Sequence, residues 1–207
     1  MRNTKVFLAD ADSTDGTRDI ARNYADRVQI EVIPGGLPAV GRNCGARRAD
    51  SSYVLFIDAD IELADPTLLR RAVATMNAKQ LHCLTTNILC PSGKVLDGFL
   101  YGCSNALQYL SRLHKPFATG MFMLVDTARF RELGGFDERA LYAEDYQLSR
   151  RFARRRFRSI RGGVYTTNRR FAKMGRGAII RMFVNTALRS GSRAHYADSR
   201  HWRYWQS

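Results

Sequence analysis

Tyr53-Val54-Leu55-Phe56-Ile57-Asp58-Ala59-Asp60 is a continuous apolar strand that delivers two carboxylates, one residue apart, to its carboxyl end. A run without polar alternation suits a strand covered on both faces, and ligands of open α/β sheets gather at the carboxyl ends of strands. A hard divalent cation takes oxygen ligands and leaves positions for substrate phosphates, so Asp58 and Asp60 are candidate ligands for Mn²⁺ or Mg²⁺. Read alone, the pair is equally the start of a polar loop leading to a helix opened by Pro66, with Asp65 as its N-cap.

Upstream of this strand, residues 6–9 form a short apolar run ending at Asp10, and helical spacing follows over 15–24. Residues 28–33 alternate like a strand stopped by Pro34, and 39–49 read as a helix rich in small residues. Downstream come a strand at 81–89, a helix at 98–113 and an apolar strand at 117–125 interrupted by Gly120. Gly134-Gly135 marks a turn, 144–155 has helical spacing, a short strand follows Gly163 at 164–166, and 178–188 is a last amphipathic helix. Strand and helix alternate through the first half. That pattern predicts one α/β domain over 1–170, a Rossmann-like, mostly parallel sheet flanked by helices, with a basic amphipathic helix and aromatic tail over 171–207.

The 207 residues suffice for one ordinary domain with a real core. Lys and Arg number 33 against 19 Asp and Glu, a formal charge of +14, with Lys contributing only five. Such a surface attracts polyanions, whether nucleic acid, anionic lipid or a diphosphate-bearing substrate. No apolar run reaches transmembrane length and no secretory pattern opens the chain, so the cytoplasm is the expected compartment. Cys44, Cys83, Cys90 and Cys103 have no CxxC pairing or matching His, which argues against a structural zinc or a disulfide framework.

Two further acidic blocks stand at element boundaries. Asp10-Ala11-Asp12-Ser13-Thr14-Asp15-Gly16-Thr17 follows a strand but is not a calcium loop, because its sixth position is Asp15 and its twelfth is Ala21. Ser13 or Thr14 is expected to cap the following helix, leaving Asp10 to accept from a base or ribose. Ahead of the third block lies Gly134-Gly135-Phe136-Asp137-Glu138, and the block itself, Glu144-Asp145, opens a helix. A carboxylate there stays ionised and suits a general base, with Asp145 the candidate; an acidic first turn that merely suits the helix dipole is the alternative.

The order of these blocks, with Gly41-Arg42-Asn43-Cys44-Gly45 between the first and second, resembles the family 2 glycosyltransferases of GT-A fold. The resemblance implies that Asp10, Ser13 and Asp15 contact the nucleotide, with Arg42 and Asn43 in the segment ahead of the DxD strand. It assigns Asp58 and Asp60 to metal and diphosphate, and Glu144 with Asp145 to the acidic pair that supplies the base. The implied reaction is metal-dependent, inverting transfer from a nucleotide diphosphate sugar, UDP-linked by resemblance, to a carbohydrate or lipid-linked acceptor. The family usually opens with an apolar strand, a Pro-x-Asn-Glu turn and a helix ahead of the Asp10 block, and these are expected to be missing here. Gln-x-x-Arg-Trp is absent too, although Asn168-Arg169-Arg170-Phe171 sits in a comparable region, so processive synthesis is not expected.

Arg169 and Arg170 are the basic residues best placed to meet a diphosphate, whereas the seven arginines from Arg150 to Arg161 read mostly as a solvated face. The helix at 178–188 fits either an anionic membrane surface, which would make the protein peripheral on the cytoplasmic face, or packing on the sheet. His195, His201, Trp202, Tyr204 and Trp205 are candidates to line an acceptor pocket or to form a loose tail. Two rivals remain. A haloacid dehalogenase-type phosphatase would use Asp58 as nucleophile and Asp60 as acid/base, but would need a lysine setting that Lys79, Lys94, Lys115 and Lys173 lack. A basic nucleic-acid-binding module lacks any known motif and any interleaving of aromatics with the arginines, so nucleic acid is not an expected partner.

Overall fold

A computed structural model describes residues 4–91, 94–189 and 196–197. The chain runs β1 (Lys5–Asp10), α1 (Thr17–Arg22), β2 (Gln29–Pro34), α2 (Pro38–Arg48), β3 (Tyr53–Ile57), β4 (Glu62–Leu63), α3 (Leu68–Lys79), β5 (Cys83–Leu89) and α4 (Val95–Ser111). It continues through β6 (Phe122–Asp126), α5 (Thr127–Glu132), α6 (Glu144–Ser149), a 3₁₀ turn at Arg154–Arg156, β7 (Phe157–Tyr165), α7 (Arg169–Met174) and α8 (Arg176–Leu188).

The α/β class holds, but the sheet is mixed rather than mostly parallel. β1 and β2 form a parallel pair of their own, while the other strands make a five-stranded sheet ordered β3-β6-β5-β7-β4. Within it only β5 and β7 run parallel; β3 with β6, β6 with β5, and β7 with β4 are antiparallel. β3, an edge strand, reads as apolar because its two faces each pack in part, Val54 and Phe56 on one layer and Tyr53 and Leu55 on the other, not because its neighbour is parallel.

Two clusters fill the sheet's faces. One gathers Phe56, Met123, Val125, Phe130, Phe136, Leu148, Phe152 and Phe157, with Phe56, Phe130 and Phe136 stacked edge-on or tilted at centroid separations of 4.9–5.5 Å. The other sets Leu68, Ala72 and Met76 of α3 against Leu84, Ile88, Phe122, Leu124 and Val164. Alternate residues of β5 and β6 thus serve opposite layers, as the pleat requires.

Three boundaries differ from the sequence reading. The helix expected over 144–155 ends at Ser149, and the following arginines lead into β7, nine residues long instead of three. Gly162 and Gly163 do not separate two elements: they form an irregularity inside β7, where the register with β5 shifts between Thr86 and Asn87. A Cβ at Gly163 would lie 2.7 Å from Leu89 Cδ1, so the close approach of β7 to β5 needs glycine. The third is Pro66, which lies ahead of the helix instead of opening it. Asp65 accepts from the Thr67 amide at 2.7 Å, and α3 begins at Leu68.

Candidate active site

α2 is the element that joins the pieces. Its small residues let it sit tightly on the β1–β2 pair: a Cβ at Gly41 would lie 2.9 Å from Ala9 Cβ, and one at Gly45 would lie 3.3 Å from Phe7 Cβ. That contact aims the next two side chains, Arg42 and Asn43, away from β1 toward the larger sheet. Asn43 closes a reciprocal pair with the backbone of Phe136, donating to its carbonyl at 2.9 Å and accepting from its amide at 3.0 Å. It also donates to Glu138 at 2.9 Å. Gly135, at φ +72°, lies so close that a Cβ there would be 2.6 Å from Asn43 Oδ1. The Gly-Gly-Phe-Asp-Glu turn is thereby locked to α2, ahead of Glu144.

Arg42 is the electrostatic centre. Its guanidinium donates to Asp58 Oδ1 at 2.7 Å and to Glu144 Oε1, and lies 5.7 Å from the centre of the Phe136 ring. Asp145 accepts from the amide of Gly120 at 2.6 Å and from its neighbour Tyr146 at 2.7 Å. Gly120 is a tight fit, since a Cβ there would lie 2.3 Å from Arg42 Nη2. The glycine that interrupts the apolar run before β6 is what lets Arg42 pass. Asp58 and Glu144, far apart in sequence, thus meet on one guanidinium, and Asp145 lies within reach of its charge.

One cation serves three carboxylates, so the cluster carries excess negative charge unless a proton is bound. Burial works against the charge of Arg42, but Glu144, Asp58 and Asp145 outweigh it and raise its pKa, keeping it a cation. Burial first, then the Asp145 charge, pushes Glu144 up to about 7. Burial likewise raises Asp145, against the pull of Arg42 and of the two amides. Both acids are thus lifted above the ordinary carboxylate range, and as close neighbours they titrate together. Glu144 is buried behind Arg42, whereas Asp145 is only half-buried and can be reached from the site.

The remaining site candidates fall around this centre. Asp60 lies beyond Asp58, about half exposed, and meets Arg169 of α7 at 3.2 Å. Arg169 was expected to meet a diphosphate and instead pairs with the second DxD carboxylate; the side chain of Arg170 lies outside the described residues, as do His195, His201, Trp202, Tyr204 and Trp205. At the end of β1, Asp10 is not left open. Arg18 donates to it at 2.5 Å and the Ser13 amide at 3.3 Å, and the Ser13 side chain first, then Arg18, hold its carboxyl below the ordinary range. Asp15 accepts from the amide and hydroxyl of Thr17, so it steadies the start of α1, whose N-cap is Gly16 rather than Ser13 or Thr14. Arg18 was not picked out from the sequence and Gly120 was read only as a break in a strand; Arg18 lies eight residues from Asp10 and Gly120 25 from Asp145, and neither spacing reveals a contact by itself.

Among the described residues no group of three or more His, Cys, Asp or Glu side chains forms a metal site. Asp58 and Asp60 supply two hard oxygen donors, which suffices where phosphates and water complete the shell, and Asp60 is accessible enough to serve. No lysine bonds either carboxylate among the described residues, so the phosphatase setting is not assembled.

An α/β sheet with paired carboxylates after one strand, an arginine-bound acidic pair facing them, and a small-residue helix between defines a glycosyltransferase layout of GT-A type. The glycosyl transferase family 2 profile matches residues 1–134, and the chain belongs to that family. It is 35% identical over 78 residues to validoxylamine A glucosyltransferase of Streptomyces hygroscopicus subsp. jinggangensis, a stretch covering 36% of this chain and 18% of that protein. The mannosyltransferase PcManGT of Pyrobaculum calidifontis, solved with GDP-Man and Mn²⁺, superposes with a TM-score of 0.64 at 19% identity over 91% of this chain and 56% of that one. TarS of S. aureus in complex with UDP gives 0.64 at 19% identity, covering 79% of this chain and 51% of that one. The chain thus spans about half of each solved neighbour and less of the Streptomyces relative.

Proposed function

We propose that the chain carries the catalytic half of a glycosyltransferase that moves a sugar from a nucleotide diphosphate donor to an acceptor hydroxyl, with inversion and without processive extension. The observation that carries this reading is the bridge that Arg42 makes between Asp58, at the carboxyl end of β3, and Glu144, with Asp145 held next to it by the Gly120 amide. Asp145 takes the acceptor proton as the hydroxyl oxygen bonds to the anomeric carbon from the face opposite the diphosphate, whose bond to that carbon breaks. Glu144 holds Arg42, and Arg42 keeps the base charged and aimed. A raised pKa places Asp145 nearer the operating range of a general base than an ordinary carboxylate.

A divalent cation, Mn²⁺ or Mg²⁺, would be held by Asp60 with Asp58 and would supply charge neutralisation to the leaving diphosphate. Arg169 occupies the same carboxylate and would turn to the diphosphate when the cation arrives. Asp10, Ser13 and Asp15 shape the loop assigned to the nucleotide, with Asn43 fixing the helix behind it. The family resemblance and the UDP-bound neighbour favour a UDP-linked donor; the GDP-Man complex of the other neighbour supplies the rival to test. The acceptor is a carbohydrate or a lipid-linked saccharide, and the protein works in the cytoplasm, peripherally on the membrane.

Thermal unfolding followed with UDP, GDP and their sugars, with and without Mn²⁺, tests this reading. A metal-dependent rise in Tm with UDP or a UDP-sugar is expected. A rise with GDP compounds alone would reassign the donor base, and no rise with any nucleotide would contradict donor binding by this chain.

A further inference from the structure

α4 spans 17 residues and exposes no charge along its length. Its one Asp, Glu, Lys or Arg residue, Asp97, is fully buried and bonded to Arg176 at 2.7 Å. The outward arc carries Val95, Leu96, Phe99, Leu107 and Leu110, continued by Leu113 just past the helix; Val95 is 93% exposed, Phe99 64% and Leu113 65%. These side chains recur at helical spacing on one side, while Asp97, Tyr101 and Gln108 face the sheet. A contiguous apolar strip of this length on a soluble surface marks an interaction site.

The chemistry at its carboxyl end names the partner. Arg112, Arg154, Arg155 and Arg158 line, with Leu113, an open cleft of about 310 Å³. Arg154 donates to the Leu113 carbonyl at 3.2 Å, which fixes the cluster to the end of the helix. Arg112 bonds the Tyr109 hydroxyl and Arg158 a backbone carbonyl, and none of the four meets a carboxylate among the described residues. Four uncompensated guanidinium groups around a cleft with room for a phosphate headgroup, beside an apolar strip, match an anionic lipid surface in both charge and polarity. A protein partner with an acidic rim would need its own apolar ridge, whereas a bilayer offers both at once. No described helix is long and apolar enough to cross a membrane, so α4 lies on the surface.

We infer that α4 and the Arg112–Arg158 cleft dock this chain on an anionic lipid bilayer, with the apolar face among the acyl chains and the arginines on headgroup phosphates. The assignment differs from the basic helix α8 singled out in the sequence: there Met182 packs inward and Arg176 is taken by Asp97. It is independent of the sugar-transfer reading, although the loop that follows α4 ends at Gly120, which holds Asp145.

Co-sedimentation of the full chain with vesicles of phosphatidylcholine alone, or mixed with phosphatidylglycerol, tests it without any activity assay. The chain should sediment with the mixed vesicles and far less with the neutral ones. The double variant Phe99→Glu, Leu107→Glu should abolish sedimentation. Arg154→Ala with Arg155→Ala should weaken it by roughly tenfold or more and erase the preference for phosphatidylglycerol. All four positions are exposed, and unchanged circular dichroism and Tm in both variants would establish that the fold is intact. Absence of vesicle binding, or equal binding by the variants, would overturn the inference. So would self-association in solution that Phe99→Glu removes without vesicle binding, since the face would then belong to a second copy.

Discussion

The five-stranded sheet and the β1–β2 pair are written in similar apolar runs, yet they are covered very differently. In the larger sheet Cys83, Leu84, Phe122, Met123 and Val125 are fully or almost fully buried between α3 and α4 on one side and the aromatic cluster on the other. In the pair, only Ile33 and Asp10 are buried, and Val6 and Val32 each keep 39% of their surface in water. α2 covers one face of the pair, and among the described residues neither strand pairs with a strand of the larger sheet. The proposed chemistry follows the same division. The carboxylates meant to handle protons and charge sit on the well-covered sheet, while the loop assigned to the nucleotide hangs from the thinly covered pair.

The sharpest way to break this contrast is at Arg42, where the two parts meet. Arg42→Met removes the only cation among three carboxylates in a poorly solvated place, and the loss should be about 3–5 kcal/mol of unfolding free energy. Denaturant titration should find it greatest above neutrality and smaller in mild acid, where Glu144 and Asp145 can be neutralised by protons. The sign follows from the shifts: an acid lifted from 4.5 to about 7 binds a proton when folded that it has lost when unfolded, so between those values its contribution to stability falls as pH rises. An equal loss at all pH values would show that Arg42 matters for packing alone.

Substitutions of one strand residue in each sheet sharpen the contrast directly. Leu84→Ala in β5 empties a fully buried site and should cost about 2–5 kcal/mol. Val32→Ala in β2 should cost below about 1 kcal/mol, because its side chain is already in contact with water. Comparable losses in the same denaturation measurement would mean that the pair is as tightly integrated as the main sheet.

A smaller effect is expected on the chemistry. Glu144→Gln removes the like charge beside Asp145, so Asp145 should ionise more easily and the acid limb of the transfer rate should move to lower pH. A limb that stays in place would detach the base from the Glu144–Asp145 pair.

Much of this was legible in the sequence, and what was missed has physical reasons. The strand ending at Asp58 was readable because apolar side chains on both of its faces, each partly packed, leave no alternation. Glu144 and Asp145 were recognisable as an acidic pair at a helix start, and the order of the blocks pointed to the family. Strand direction was not readable, since the same apolar run serves parallel and antiparallel neighbours. Most of β7 was missed, and only a short strand at 164–166 was read, because its arginines, Arg158 and Arg161, interrupt the apolar pattern and its two glycines mimic a turn. Arg42 was placed in the segment ahead of the DxD strand; its link to Glu144, 102 positions away, depends on Gly41 and Gly120 being small, a condition visible only once the elements are packed. Asp10 looked available because the sequence hides Arg18, eight residues on, folding back over it.

The central claim is that Asp145 is the base of a sugar transfer and not a structural acid. Asp145→Asn keeps the size of the side chain and its acceptance from the Gly120 amide while removing its ability to take a proton. Steady-state transfer from the donor that the Tm measurements single out, measured beside donor affinity for the same variant, should show activity abolished and nucleotide binding retained. Unchanged turnover would contradict the assignment.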